Sequence, residues 1–370
     1  MSEVEQDFSK ENILELTTNL KVEFVKKYTT NESLLAINSK TKLQNSDENL
    51  ELAKLTKLIR SIATKIGILL NPGKFVEKNY TIFYKELQNF SNHIFFLLSL
   101  LPLFYKNPSV YPSYFLNDLN KLIINLMENI SKLCIEIELL SDDSIDNEAK
   151  EERNEERLIP IGLIWNSCDS LLELSEIGPT GVLSKLITKN STLLNDVLEE
   201  IDDWLVEPSL GNEDFLVDEY SSDEEDKDDS KLNPIDDSND NEEILKVVVP
   251  FVKDWQKNIK LIKLLFSSFI KSIKENNTKS SKFKSSSNQG EILDSLNALH
   301  DNISESVDIL VSDILSSDTF IDVQTDFNEE IEKLNEYLKK MVKAIKNLNS
   351  NDEKRNKWLN VWEIKYFEKN

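Results

Sequence analysis

Residues 327–348, FNEEIEKLNEYLKKMVKAIKNL, carry the clearest structural signal in the chain. Their apolar residues alternate steps of four and three, and this spacing places side chains on one narrow face of an α-helix. The apolar seam consists of Phe327, Ile331, Leu334, Leu338, Met341, Ile345 and Leu348. The stretch therefore predicts a helix that buries a single stripe against neighbouring helices.

The same periodicity recurs through the preceding part of the chain. It predicts a helix that starts near residue 159 and further amphipathic helices over 183–205, 244–273 and 292–314. Together with 327–348 these predict an antiparallel five-helix bundle over residues 158–349, followed by a helical tail at 350–370.

The first part of the chain shows four similar segments, near 13–24, 55–69, 83–104 and 119–137. They predict an antiparallel bundle over residues 1–140, joined to the second bundle by a charged linker at 141–157. The chain has only seven glycines and nine prolines in 370 residues, which favours long helices over a sheet protein with frequent turns. The predicted fold class is all-α, with two bundles of about four and five helices.

Two polar segments interrupt the second bundle. Residues 208–243 are strongly acidic, with 15 acidic residues against two lysines between 213 and 243, so they predict a disordered acidic loop. Within it, Ser221 and Ser222 each precede an acidic residue by three positions, which makes them candidate phosphorylation sites. The Ser- and Lys-rich segment 275–291 predicts a second flexible insert.

The charge of the chain argues against several classes of partner. A formal net charge of −24 repels nucleic-acid phosphates, so direct nucleic-acid binding is not expected. The acidic amino terminus has no signal-peptide pattern, which predicts a location in the cytoplasm and nucleus. The most apolar run, IFFLLSLLPLFY at 94–105, is too short to span a bilayer and predicts a buried helix.

Candidate catalytic residues are few. Cys168 precedes Asp169, but a neighbouring carboxylate opposes thiolate formation, and Cys168 shares an apolar helix face with Ile164 and Leu171. The two histidines, His93 and His300, have no metal-ligand spacing to other histidines or to cysteines. No phosphate-binding loop or catalytic triad pattern occurs, so the sequence predicts a protein that is not an enzyme and that binds no metal or other cofactor.

The stretch GLIWNSCDSLLEL at 162–174 resembles the Gly-Val-Val-Trp-x-x-Cys-Asp-x-Leu motif of the cyclin-D-binding, or GCIP-like, protein family. The match rests on Gly162, Trp165, Cys168 and Asp169 at fixed spacing. Three later stretches follow in the family's order: VLEEIDDWL, VVPFVKDWQKNIKLIK and LDSLNALHDNISESVDILVSDIL. The resemblance spans about 158–315.

This resemblance implies an all-α protein that binds other proteins, such as cyclins or helix-loop-helix regulators, and that negatively regulates the cell cycle and transcription. It supplies no catalytic or ligand residues. The alternative is a cytoskeletal or membrane-proximal adaptor of the vinculin or talin type, which is also built from helical bundles. Within the motif, Gly162 is expected to let a neighbouring helix approach, while Trp165 and Cys168 fill the space between helices.

Overall fold

The computed structural model describes residues 7–153, 155–210, 238–278, 289–317, 323–349 and 352–368. All regular secondary structure in these ranges is helical, which confirms the all-α fold class. The α-helices are α1 Lys10–Leu20, α2 Asn31–Leu35, α3 Glu48–Leu69, α4 Glu77–Tyr105, α5 Ser113–Ser141, α6 Asn147–Glu152, α7 Ile159–Trp204, α8 Ser238–Thr278, α9 Gln289–Ser316, α10 Val323–Asp326, α11 Asn328–Leu348 and α12 Glu353–Phe367.

The chain forms two compact units, Met1–Val182 and Leu183–Asn370. This division lies after the segment 141–157, where the sequence predicted the linker. In that segment, Arg153 donates to Glu136 of α5 at 3.0 Å, and the side chain of Arg157 is buried. The beginning of α7 consequently belongs to the first unit rather than to the second bundle.

The first unit is built on α1, α3, α4, α5 and the first part of α7. Helix α3 packs along α4, while α1 contacts both α4 and α5. Asp47 caps α3 by accepting a hydrogen bond from the Leu50 amide at 2.8 Å, as expected for an acidic N-cap. Helix α4 supplies a row of fully buried apolar side chains at helical spacing: Phe83, Leu87, Phe90, Ile94, Leu97 and Leu101.

Helix α7 is interrupted at Gly178. Its backbone angles, φ of +61° and ψ of −176°, lie in a region that residues other than glycine essentially do not adopt. Pro179 follows at once, and its carbonyl accepts a hydrogen bond from the Tyr114 hydroxyl of α5 at 2.8 Å. The sequence predicts separate helices on the two sides of this point, and the division between them lies at Gly178.

The second unit contains the remainder of α7 and helices α8 to α12. Helix α11 packs along α9, and its predicted seam is buried at Leu334, Leu338, Met341 and Ile345. The C-terminal residues form α12, whose Trp362 Nε1 donates to the Leu261 carbonyl of α8 at 2.8 Å. Helix α11 thus contacts α9, which precedes it in the sequence, and α12, which follows it.

Helix α8 extends into both predicted polar segments. Helix α8 already begins at Ser238, inside the segment 208–243, and continues to Thr278, inside the segment 275–291. The rest of the acidic loop, residues 211–237, lies outside the described residues, together with Ser221 and Ser222. Residues 279–288 of the second insert also lie outside them.

One described helix, α4, is long and apolar enough to pass a length-and-composition test for a membrane span. Half of the window that passes is buried against the rest of the first unit. A core helix of a water-soluble bundle passes the same test, so the result is weak evidence for a span.

Candidate protein-interaction site

The family-like stretch at the start of α7 presents two different faces. Ile164, Cys168 and Leu171 are buried, with exposures of 0%, 1% and 0%. Gly162 and Asp169 face solvent, while Trp165 lies at the border between the two faces. The motif residues therefore do not act together as one packing unit.

Trp165 and Asp169 meet α3 at the surface of the first unit. Trp165 Nε1 donates to Thr64 Oγ1 at 3.1 Å, and the Arg60 guanidinium lies 5.3 Å from the Trp165 ring centroid. Arg60 Nε also donates to Asp169 Oδ1 at 2.9 Å. These four side chains form a polar cluster that fixes α7 against α3, with no feature of an active site.

The predicted role of Gly162 is wrong. It is exposed, and a Cβ at this position would have no other atom within 4 Å. The close approach of the two helices occurs at Gly67 of α3, where a Cβ would lie 3.2 Å from Ile161 Cγ1. The glycine that permits contact is thus on the opposite helix, and its neighbour is the residue before Gly162.

The surroundings of both cysteines disfavour the reactive thiolate form. Cys134 and Cys168 are free thiols buried in the first unit, and burial raises the pKa of each to about 12. For Cys168 the carboxylate of Asp169 raises the pKa further, while Arg60 lowers it. Both thiols are therefore protonated at neutral pH, and thiols are poor nucleophiles compared with thiolates.

His300 is buried in the second unit and is occupied by structural hydrogen bonds. Asn190 Nδ2 of α7 donates to His300 Nδ1 at 2.8 Å and to Asp301 Oδ1 at 2.8 Å. His300 Nε2 then carries the proton and faces Asn297 Oδ1 at 3.3 Å. Burial lowers the pKa of His300, so the neutral form is favoured. In the described ranges, no group of three or more His, Cys, Asp or Glu side chains has the arrangement of a metal site.

The first unit carries a groove of about 730 Å³ beside α4. We call it the aromatic groove. Its lining includes Phe24, Lys27, Tyr28, Lys40, Phe95 and Phe96. Phe95 and Phe96 are 55% and 53% exposed, which is unusual for large apolar side chains in a bundle. Such an exposed aromatic patch is typical of a surface that another protein covers.

The charge of the aromatic groove is one-sided. Lys27 and Lys40 line it, and none of the described residues that line it is acidic. In a chain with a net charge of −24, this surface can accept an apolar segment that carries acidic groups.

Sequence reasoning missed this groove because it treated the run 94–105 as one buried segment. Helical spacing could have separated the run, since Ile94, Leu97, Leu98 and Leu101 share a buried face and Phe95 and Phe96 fall outside it. The other wall of the groove, which includes Phe24 and Lys40, is distant in sequence and could not be placed.

Two family models match most of the chain. The family model "Grap2 and cyclin-D-interacting, N-terminal" matches residues 51–207, and its C-terminal counterpart matches 221–343. A Saccharomyces cerevisiae protein described as "Uncharacterized protein YLR287C" is 34% identical over 362 residues, which cover 96% of each chain. The chain belongs to the family of Grap2 and cyclin-D-interacting proteins.

Proposed function

We propose that this protein is a non-enzymatic, helical interaction protein that restrains cell-cycle progression and transcription by binding cyclin-type or helix-loop-helix regulators. The observation that carries this proposal is the aromatic groove, an exposed apolar surface in a protein of the cyclin-D-interacting family. Family membership favours this function over the cytoskeletal or membrane-proximal adaptor.

The groove has the chemistry to receive an amphipathic helix. Phe95 and Phe96 lie edge to face, with ring centroids 5.9 Å apart, and provide a ready apolar anchor. Lys27 and Lys40 supply the charges that would orient acidic residues at the border of that helix. Partner helices commonly bind such grooves through apolar side chains spaced three and four residues apart.

The cellular setting of the proposal is the cytoplasm and nucleus, where these regulators act. Phosphorylation of Ser221 and Ser222 is part of the proposal as a control step. Each phosphate would add about 1.5 to 2 negative charges to an already acidic segment and would so change the affinity of that segment for basic surfaces.

The proposal is tested by measuring the affinity of the full chain for purified cyclins and helix-loop-helix proteins from its own cells. The variant Phe95→Ala/Phe96→Ala removes both exposed rings and should weaken binding by about tenfold or more, as loss of aromatic anchors does in other interfaces. Ile82→Ala is the matched control, because Ile82 lies on the same helix, is 52% exposed and does not line the groove.

The control should bind like the wild type, and all variants should melt at similar temperatures because the changed side chains are exposed. Equal affinity of wild type and Phe95→Ala/Phe96→Ala would overturn the aromatic groove as the docking site. Absence of binding to every cyclin and helix-loop-helix protein, together with co-sedimentation with actin, would overturn the function and support the adaptor.

A further inference from the structure

The second unit contains a groove of a different character, formed between α7 and α9 and about 460 Å³ in volume. We call it the acidic groove. It is lined by five exposed carboxylates, from Asp196 and Glu200 of α7 and from Asp301, Glu305 and Asp308 of α9. Their spacings of three and four residues place each row on one side of its helix.

These carboxylates have little compensation within the second unit. No lysine or arginine is among the described residues that line the acidic groove. Asp301 accepts a hydrogen bond from Asn190 and lies 3.3 Å from His300 Nδ1. In the described ranges, the other four form no ion pair with lysine or arginine. Like charges facing each other across a groove repel, and a bound cationic group would relieve that repulsion.

The floor of the acidic groove is apolar. Leu194 and Val197 are buried beneath it, while Leu193 is 48% exposed at its side. A bound ion would gain nothing from contact with the exposed Leu193 side chain, whereas a peptide segment would cover Leu193 with an apolar side chain. The surface therefore combines an apolar contact with negative borders, as grooves that bind amphipathic helices do.

Ser304 adds a polar group without a described partner to the wall of the acidic groove. It lies in the α9 wall between Asp301 and Asp308, is 7% exposed, and its Oγ has no hydrogen-bond partner in the structure described. A buried hydroxyl without a partner costs free energy. A hydroxyl both donates and accepts, so rotation of the Ser304 side chain toward the groove would let its Oγ bind either a backbone carbonyl or a cationic N–H group of an incoming segment.

We infer that the acidic groove binds a basic amphipathic segment of a partner protein, with lysine or arginine side chains facing its carboxylates and an apolar side chain covering Leu193. This site is separate from the aromatic groove and has the opposite charge preference. The inference does not depend on the proposed function. A metal ion is a poorer occupant, because the carboxylates are spread along two helices and form no cluster with metal-site geometry among the described residues.

The probe is a fluorescein-labelled helical peptide of about 18 residues in which leucines occupy one face and lysines flank it. Binding to the full chain is followed by fluorescence anisotropy. A scrambled peptide of the same composition separates the amphipathic pattern from simple attraction to an acidic protein, and a lysine-to-glutamate peptide tests the sign of the charge. We expect only the amphipathic basic peptide to bind tightly, with an affinity that falls as salt rises.

The test variant Glu200→Gln/Glu305→Gln/Asp308→Asn removes three charges from the acidic groove and keeps side-chain shape. It should weaken binding by about tenfold or more. The matched control, Glu199→Gln/Asp203→Asn/Asp313→Asn, also removes three exposed charges from the same two helices but outside the groove, and it should change affinity by less than about twofold. Leu193→Ala and Ser304→Ala should each weaken binding several-fold.

Thermal melts confirm that each variant folds, and charge removal should leave the melting temperature unchanged or raise it. Equal affinities of the test and control variants would overturn the inference, and so would equal binding of the scrambled peptide. Calcium or magnesium binding that depends on these carboxylates, without peptide binding, would also overturn it in favour of a cation site. Phe95→Ala/Phe96→Ala should not affect this peptide, so the two sites can fail independently.

Discussion

Helix α7 makes two contacts that hold it by different physical means, one in each unit. In the first unit it meets α3 through shape, where Ile161 lies against the bare backbone of Gly67. In the second unit it meets α9 through a buried polar pair, Asn190 and His300. Both contacts join residues that are distant in sequence.

The difference determines what each contact tolerates. A contact held by close packing is sensitive to added volume and insensitive to pH. A contact held by a buried hydrogen bond is sensitive to the loss of one partner and to the protonation state of the other. The α3–α7 and α7–α9 contacts should therefore respond to opposite kinds of perturbation.

The largest effect is expected from Gly67→Leu. The new Cβ would lie 3.2 Å from Ile161 Cγ1, and the larger side chain would have to displace α3 or α7. Overpacking of this kind costs about 1 to 3 kcal/mol and occasionally more, so we expect a loss near 3 kcal/mol in urea unfolding of the full chain.

Gly162→Leu is the matched control for this prediction. It adds the same side chain one residue after Ile161, at a position where a Cβ would have no other atom within 4 Å. Its stability should stay within about 0.5 kcal/mol of the wild type, or rise slightly through better helix propensity. A larger loss for Gly162→Leu than for Gly67→Leu would contradict the assignment of the close approach to Gly67.

The next effect is expected from Asn190→Leu, which removes the donor to His300 Nδ1. A buried acceptor then lacks its partner, and we expect a loss of about 1 to 3 kcal/mol in the same unfolding measurement. The double variant Asn190→Leu/His300→Leu should recover part of this loss, because replacing both partners by apolar groups leaves no unpaired polar atom. Additive losses in the two single variants and the double variant would show that the pair is not coupled.

The sequence predicts features that depend on one helix, but it does not predict contacts that depend on how two helices pack. The buried seam of α11, including Leu334 and Leu338, was predictable because helical periodicity is a property of one segment. The placement of Gly162 was wrong because the register between α3 and α7 depends on both helices. The bond between Asn190 and His300 joins residues 110 positions apart, which no periodicity in either helix could indicate.

The candidate sites show the same limit. A groove is defined by the helix faces that remain uncovered after packing, so Phe95 and Phe96 appeared in the sequence as part of a buried run. The family motif lies on α7, but its residues Trp165 and Asp169 contact α3 at the surface and line neither groove. A motif thus identifies a family more reliably than it identifies a site.

The pH dependence of the unfolding free energy also distinguishes the two contacts, and its effect should be smaller. Burial places the pKa of folded His300 below the ordinary value of 6.5, so the unfolded chain binds the proton more readily. The stability that depends on neutral His300 is present above pH 6.5 and is lost as the pH falls below it, with a limiting slope of about 1.4 kcal/mol per pH unit.

The control for this titration is Asn190→Leu/His300→Leu, which should lose the slope between pH 6.5 and 5, while Gly67→Leu should keep it. Carboxylates whose pKa values are lowered by hydrogen bonds, such as Glu51 with Lys54, contribute only at lower pH. A slope that persists in the double variant over that range would assign the dependence to other groups.

The smallest effect should come from the polar cluster beside the α3–α7 contact. Asp169→Asn removes the charge that Arg60 Nε contacts at 2.9 Å, but these side chains are 55% and 45% exposed. Solvent and salt screen such pairs, so the loss should be about 0.2 to 1 kcal/mol and should shrink in high salt. Trp165 lies against the Arg60 guanidinium and also donates to Thr64 Oγ1. Trp165→Ala removes both contacts, so it should cost more than Asp169→Asn in the same unfolding assay. The reverse order would mean that charge, rather than packing, joins α7 to α3.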